Sequence, residues 1–249
     1  METFYRWLIG DMGIPGDYMY GTMHLVCTAI VVLLTAAVAF YAAKKRNDPA
    51  AVRKLLVIIC LIQVVFEIIW RLVYLFIKGA HIREIWPYYP CNFGGVLIPI
   101  IGLLNWKRGK QIFYLFGFVG GVLTFSLPDG IFSTSVFVFP ILKSVMQHTG
   151  LLLIPVLEYA AGTYRPSLKD YGWVVLGCCI HAFNCEVIDR LWGLTGDYMF
   201  FRSDMPFVID GVPQFITLSV FGLLVFALLC FVCDSKGSLA FLKGKKTSV

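Results

Sequence analysis

Seven apolar runs follow one another along the chain, and short polar segments separate them. A helix that spans a bilayer needs about 20 consecutive, mostly apolar residues. By this criterion the pattern predicts seven transmembrane helices, over residues 19–43, 54–77, 91–106, 111–127, 136–160, 171–191 and 212–233. The third and fourth runs are short. We therefore expect an all-α fold, in which residues 1–249 form a single domain of seven transmembrane helices.

The composition also indicates a membrane protein. The chain has 249 residues, of which 59% are hydrophobic and 14% are charged, whereas about 25% of the residues of a soluble domain are charged. In such a chain the formal net charge of +6 reflects topology and lipid headgroups, so we expect no nucleic-acid partner. The amino-terminal residues lack a basic run followed by a small-residue cleavage site, and we expect no cleavable signal peptide.

The charges between the runs predict the orientation of the chain. Segments 44–54, 106–110 and 164–169 and the tail over 242–249 are basic. The alternate segments carry the acidic residues Asp11, Asp17, Asp129, Asp197, Asp204 and Asp210, and only the segment over 78–84 among them is mildly basic. Because basic segments stay in the cytoplasm, we expect the amino terminus outside and the carboxyl terminus in the cytoplasm. An odd number of spans satisfies this arrangement.

Polar side chains inside the apolar runs point to a pocket. An ionisable residue at the centre of a bilayer costs roughly 2.5–3.5 kcal/mol, so several of them in one chain suggest a use. In the predicted orientation they concentrate in the outer halves of the spans, and the inner halves of most spans are nearly pure Leu, Val, Ile and Ala. We expect a pocket that opens outward beneath aromatic loops. Its candidate binding or orienting residues are His24, Glu67, Arg71, Asn92, Gln147, His181 and Asn184.

Two of these assignments have an alternative, purely structural interpretation. Glu67 and Arg71 lie four residues apart on one helix face, where they can form an ion pair. Such a pair fits a purely structural role in helix packing as well as a role in the pocket. His181 could likewise hydrogen-bond to a neighbouring helix and do nothing else.

Cys91 is the candidate nucleophile. The chain has eight cysteines, most of them within apolar runs and without zinc-type spacing, so we expect no metal and no cofactor. Cys91 instead follows Pro90 at the start of the third run, where the free N–H groups of a helix favour an anion and can hold an oxyanion. With His148 of the fifth run it would make the nucleophile and base of covalent acyl transfer.

A function of another class remains open, namely a small transporter or a receptor-like binder of a polar or lipid ligand without catalysis. Ionisable residues within spans also occur in proton-coupled pathways. The one-sided distribution of the polar residues argues against transport, because alternating access needs polar lining in both halves. A scaffold with a degenerate site is a third possibility.

Short motifs occur along nearly the whole chain in a characteristic order. They are Gly21–His24, Glu67, Tyr89-Pro90-Cys91-Asn92, Pro128-Asp129, Gln147–Gly150, Asn184 and Gly196–Phe200. In this order they resemble the YwaF-like integral membrane proteins, which group with the transmembrane protein 164 family. The sequence departs from the family at Tyr89-Pro90, where leucine and histidine are common, and at Gly196-Asp197-Tyr198, where Gly-Asn-Tyr is expected.

The resemblance implies a lipid acyltransferase that depends on a cysteine and a histidine, related in fold to fatty-ester hydrolases. It assigns the nucleophile to Cys91 and the histidine to His148. It implies membrane lipids as partners, with an acyl donor and a lysophospholipid acceptor. Its bacterial members imply a multi-pass protein of the bacterial cell membrane.

Overall fold

The chain folds into helices joined by turns and loops. The computed structural model describes residues 1–128, 130–193, 196, 209 and 211–242. The expectations for Asp129, Asp197, Asp204, Asp210 and residues 197–200 and 243–249 lie outside the described residues. In chain order the helices are α1 (Glu2–Ile9), α2 (Thr22–Lys44), α3 (Pro49–Leu72), α4 (Pro90–Leu104), α5 (Lys107–Ser126), α6 (Phe139–Ala161), α7 (Tyr171–Ala182), α8 (Gln214–Cys233) and α9 (Ser235–Leu242).

The seven helices α2 to α8 correspond to the seven predicted runs, and two of their starts differ from the prediction by four residues or more. α3 begins at Pro49 instead of residue 54. The cause is local, since the Asp48 side chain accepts a hydrogen bond from the Ala51 N–H at 3.1 Å and Pro49 suits the first turn. α5 begins at Lys107 instead of residue 111, so its basic residues belong to the helix. The short helices α1 and α9 were not predicted.

Five of the helices are long and apolar enough to cross a membrane. They are α2, α3 with its extension to Ile77, α6, α7 with its flanking turns, and α8. α4 is apolar but has only 15 residues, and α5 starts with three basic residues in four. The described part of the chain is therefore all-helical, with five candidate membrane spans. The crossing of the membrane by α4 and α5, and the orientation of the termini, stay predictions.

α6 is the central helix of the bundle. Fifteen of its 23 residues are buried, and it packs against α2, α3, α4 and α5. Glycines let side chains enter these contacts: Gln63 of α3 fills the space beside Gly150 of α6, and Gln147 of α6 fills the space beside Gly95 of α4. α3 and α4 are thereby held against the same helix, which brings their polar residues together.

Two helices end in wider, π-helical turns. These turns are Val73–Ile77 after α3 and Phe183–Ile188 after α7. Within the second turn, Asn184 donates from Nδ2 to the Pro87 carbonyl at 2.8 Å, and the Cys185 thiol donates to the Tyr88 carbonyl at 2.8 Å. Wide turns of this type occur frequently at functional sites. Here the turn after α7 fixes the loop that leads into α4.

α5 and α6 are exceptions to the aliphatic inner halves expected of most spans. Lys110 and Glu158, both buried, form an ion pair where α5 begins and α6 ends. The Tyr114 hydroxyl donates to Glu158 Oε1 at 3.0 Å, and Lys110 donates to Asn105 Oδ1 at 2.6 Å. The prediction placed Lys110 in a basic loop. Because α5 starts earlier, this side chain enters the bundle, where a buried charge needs a partner.

Lys110→Met should strongly destabilise the fold, because it leaves the buried Glu158 carboxylate without its cation. We expect the free energy of unfolding in detergent to fall by about 3–5 kcal/mol. Lys107→Met is the matched control, since Lys107 lies in the same helix but is exposed. It should change the stability by no more than about 0.5 kcal/mol. Equal melting temperatures for the two variants would contradict the burial of this pair.

Candidate functional site

A buried carboxylate joins two cations where α3 ends and α4 and α6 begin, a region called the site end below. Glu67 accepts a hydrogen bond from Arg71 in the same helix, so the predicted ion pair is confirmed. Lys143 of α6 lies 3.5 Å from the other carboxylate oxygen of Glu67. Glu67 and Lys143 are each 6% exposed. At this burial, each charge depends on the others to offset its desolvation.

Lys143 connects three helices. Its ammonium donates to Asn92 Oδ1 of α4 at 3.2 Å and to Gln147 Oε1 of α6. It also lies 4.4 Å from the ring centroid of Trp70 of α3, a cation–π distance. Lys143 is absent from the residues predicted from the sequence. The signal that could have found it is a lysine inside an apolar run, one helical turn before Gln147.

Cys91 lies within reach of this cluster. It is the second residue of α4, directly after Pro90, and it is partly buried. The charged groups that act on the thiol are Lys143 and Glu67. The predicted position at the start of a helix is thus confirmed, and a buried cation accompanies it.

His148 lies deeper in α6 and is held by its own helix. Its Nδ1 donates to the Ser144 carbonyl at 2.7 Å, which leaves Nε2 as the ring's proton acceptor. The ring also contacts Phe125 edge-on, with centroids 6.5 Å apart. Across the described part of the chain, no hydrogen bond joins His148 to Cys91. Their partnership therefore stays a prediction, although the imidazole has the tautomer that a base requires.

A cavity of about 320 Å³ lies between the cluster and the loop before α4. Three cations, Arg71, Arg83 and Lys143, line it together with Asn92. The other lining residues are mostly aromatic or apolar: Trp70, Glu84, Ile85, Trp86, Pro87, Tyr88 and Tyr89. Of the residues expected in the pocket, Arg71 and Asn92 line this cavity, and its opening to the outside stays a prediction. The lining carries three cations and one carboxylate, and two of the cations, Arg71 and Lys143, pair with Glu67 beside the cavity.

The remaining predicted residues divide between loop support and the helix core. Asn184 supports the cavity indirectly, because its Oδ1 accepts from the Trp86 indole at 2.9 Å. His24 is buried, with Nε2 bonded to the Phe125 carbonyl at 3.0 Å and Nδ1 accepting from the Tyr20 N–H at 3.1 Å. Both of its ring nitrogens thus form hydrogen bonds with backbone groups.

His181 lies among phenylalanines and does not line the cavity. Its ring stacks on Phe116 at a centroid distance of 4.0 Å, and Phe93 and Phe113 contact it edge-on. Neither ring nitrogen finds a hydrogen-bond partner among the described residues. The structure therefore gives His181 a packing position between α4, α5 and α7.

Comparison with known proteins gives one result. A profile described as the TMEM164 family matches residues 19–232. The match covers the seven predicted runs except for the last residue of the seventh, and it confirms the resemblance seen in the motifs. Neither the curated proteins nor the solved structures contain a match to this chain.

Gly95→Ala should disturb the site, and Gly94→Ala should not. A Cβ at Gly95 would lie 2.6 Å from Gln147 Cγ, whereas one at Gly94 would meet Leu151 at an ordinary 3.4 Å. We expect Gly95→Ala to lower the free energy of unfolding by about 1–3 kcal/mol. Thermal unfolding followed by tryptophan fluorescence in detergent measures both variants. Equal stability of the two would contradict the close packing of α4 on Gln147.

Proposed function

The chain belongs to the TMEM164 family, and from this premise we propose that it is a membrane-embedded acyltransferase or acyl hydrolase. Its substrate is a phospholipid or another fatty-acyl ester, Cys91 is the nucleophile and His148 is the base. The observation that carries the proposal is the setting of Cys91. It lies in the first turn of α4 beside the buried Lys143, and its neighbours Tyr89 and Asn92 line the cationic cavity.

The cavity suits the phosphate of a lipid headgroup. Guanidinium groups bind phosphate through paired hydrogen bonds, and Arg71 and Arg83 lie in one lining with the Lys143 ammonium. The aromatic side chains of the loop offer apolar surface to the rest of the lipid. A headgroup held there would bring the ester carbonyl of the same lipid towards the start of α4.

The chemistry proceeds in two steps. His148 Nε2 takes the proton of the Cys91 thiol, and the thiolate sulfur attacks the ester carbonyl carbon. The tetrahedral intermediate collapses, its ester C–O bond breaks, and the leaving alkoxide takes the proton from His148. A thioester on Cys91 remains. Water or the hydroxyl of a lysophospholipid, deprotonated by His148, then attacks the thioester, and the Cys91 thiolate leaves and recovers the proton.

The topology completes the proposal. Basic residues gather at the ends of the helices opposite the site end: Lys44, Lys45, Arg46, Arg53, Lys54, Lys107 and Arg108. By the positive-inside rule that end faces the cytoplasm. With seven spans and an external amino terminus, the cavity opens to the outer leaflet of a bacterial cell membrane, from which acyl donor and lysophospholipid acceptor would enter.

A binder without catalysis is the second candidate. The observation that favours it is that His148 bonds to Ser144 and not to Cys91. In that case the same three cations would hold an anionic ligand, and Cys91 would be a bystander. The reactivity of Cys91 separates the two candidates.

Incubation of the detergent-solubilised protein with a long-chain acyl-thioester probe should acylate Cys91. Mass spectrometry of peptides locates the label. We expect His148→Ala to slow the labelling by about 10²–10⁴-fold, the usual contribution of a general base. Cys179 is an internal control, because it is exposed on the surface of the candidate span α7. There it meets the lipid-like probe in the micelle, but without a base or a cation beside it in the described part of the chain, the thiol should stay unlabelled.

If Cys91 stays unacylated while iodoacetamide reaches it, the thiol is accessible but not activated. That result would contradict the acyl-enzyme and favour the binder. Equal labelling in wild type and His148→Ala would remove His148 from the mechanism while keeping Cys91.

A further inference from the structure

The side-chain amide of Gln147 is only half satisfied. Gln147 is 2% exposed, and its Oε1 accepts from the Lys143 ammonium. Because an ammonium can only donate, this contact fixes which end of the amide is oxygen. The amide nitrogen, Nε2, is buried and has no acceptor among the described residues. Buried donors without a partner are rare enough to require an explanation.

The orphan nitrogen lies against the helix that carries Cys91. Nε2 of Gln147 is 3.1 Å from the point where a Cβ of Gly95 would be, so the missing side chain makes room for it. Gly95 follows Cys91 by four residues and shares its helix face one turn on. Lys143 precedes Gln147 by four residues and acts on Cys91. Two turns of α6 therefore oppose the first two turns of α4.

We infer that Gln147 Nε2 is the side-chain donor of an oxyanion hole for acyl transfer at Cys91, and that Lys143 is the positioning residue that orients the amide. The inference rests on the proposed function. When the thiolate attacks, the carbonyl π electrons move to oxygen, and Nε2 donates a hydrogen bond to that oxyanion. The C–S bond forms in this step. In the next step the oxyanion reforms the carbonyl, the ester C–O bond breaks, and Nε2 loses its acceptor.

A second buried glutamine shows what a structural role looks like in this fold. Gln63 is 4% exposed and packs against Gly150 much as Gln147 packs against Gly95. Its Nε2, however, donates to the Met146 carbonyl at 2.9 Å. The amide nitrogen of Gln63 thus has an acceptor, whereas the amide nitrogen of Gln147 has none among the described residues.

Two reactions of Cys91 separate an oxyanion donor from a packing residue. Acylation by an acyl-thioester probe passes through a tetrahedral oxyanion, and alkylation by iodoacetamide displaces iodide from a saturated carbon without one. Gln147→Met fills the same space but removes the donor. We expect its acylation rate to fall by about 10²–10³-fold, as for the loss of one oxyanion-hole donor, with the alkylation rate unchanged.

Gln63→Met is the matched control and should leave the ratio of the two rates at its wild-type value. Lys143→Met should lower the ratio, because the amide is no longer held, and Lys143→Arg should restore it. If Gln147→Met does not fold, Gln147→Glu replaces it. A glutamate fits the same space and pairs with Lys143, yet its carboxylate donates no hydrogen bond.

Each outcome has a distinct meaning. Normal acylation of the folded Gln147 variant, or an equal loss of acylation and alkylation, would overturn the oxyanion donor and leave the acyl-enzyme standing. A wild-type Cys91 that is alkylated but never acylated would overturn the proposed function and this inference with it.

Discussion

The shared contact of Glu67 with Lys143 and Arg71 is the interaction on which the site depends. A cation and a carboxylate that are this deeply buried are stable only together, and breaking such a pair typically costs about 3–5 kcal/mol. The ammonium of Lys143 further contacts Asn92 and Gln147. The ion pair between α3 and α6 thereby holds the first turn of α4, next to the thiol, and the amide of Gln147.

α6 carries a second arrangement of the same type at its other end. Glu158 there pairs with Lys110 and accepts from Tyr114. Fifteen residues separate Lys143 from Glu158, which is roughly 22 Å along a helix. Each end of the central helix thus holds a buried charge that a neighbouring helix neutralises. The 320 Å³ cavity adjoins the Lys143 end, where the cations outnumber the carboxylates.

Local pattern predicted much of this arrangement. The apolar runs predicted the seven long helices, the spacing of Glu67 and Arg71 predicted their ion pair, and the proline before Cys91 predicted the start of α4. Each of these features depends on residues that are close in sequence. The structure confirms the helices and the ion pair.

Contacts between distant segments could not be predicted in this way. Lys143 meets its partners on α3 and α4, and Lys110 meets Glu158 across 48 residues. No periodicity in a single sequence indicates which buried charges meet across helices. Lys110 was also missed because α5 begins at Lys107 and its predicted start was residue 111. The amide nitrogen of Gln147 is free because the contact of its oxygen with Lys143 selects the rotamer. Only the packing of the side chains shows this.

A double-mutant cycle tests most directly whether the Glu67–Lys143 pair assembles the site. The free energies of unfolding of wild type, Glu67→Gln, Lys143→Met and the double variant give the coupling between the two side chains. The account predicts a coupling of about 0.5–3 kcal/mol, with the second substitution costing less than it does alone. Additive effects within about 0.5 kcal/mol would show two independent residues, and would contradict the account.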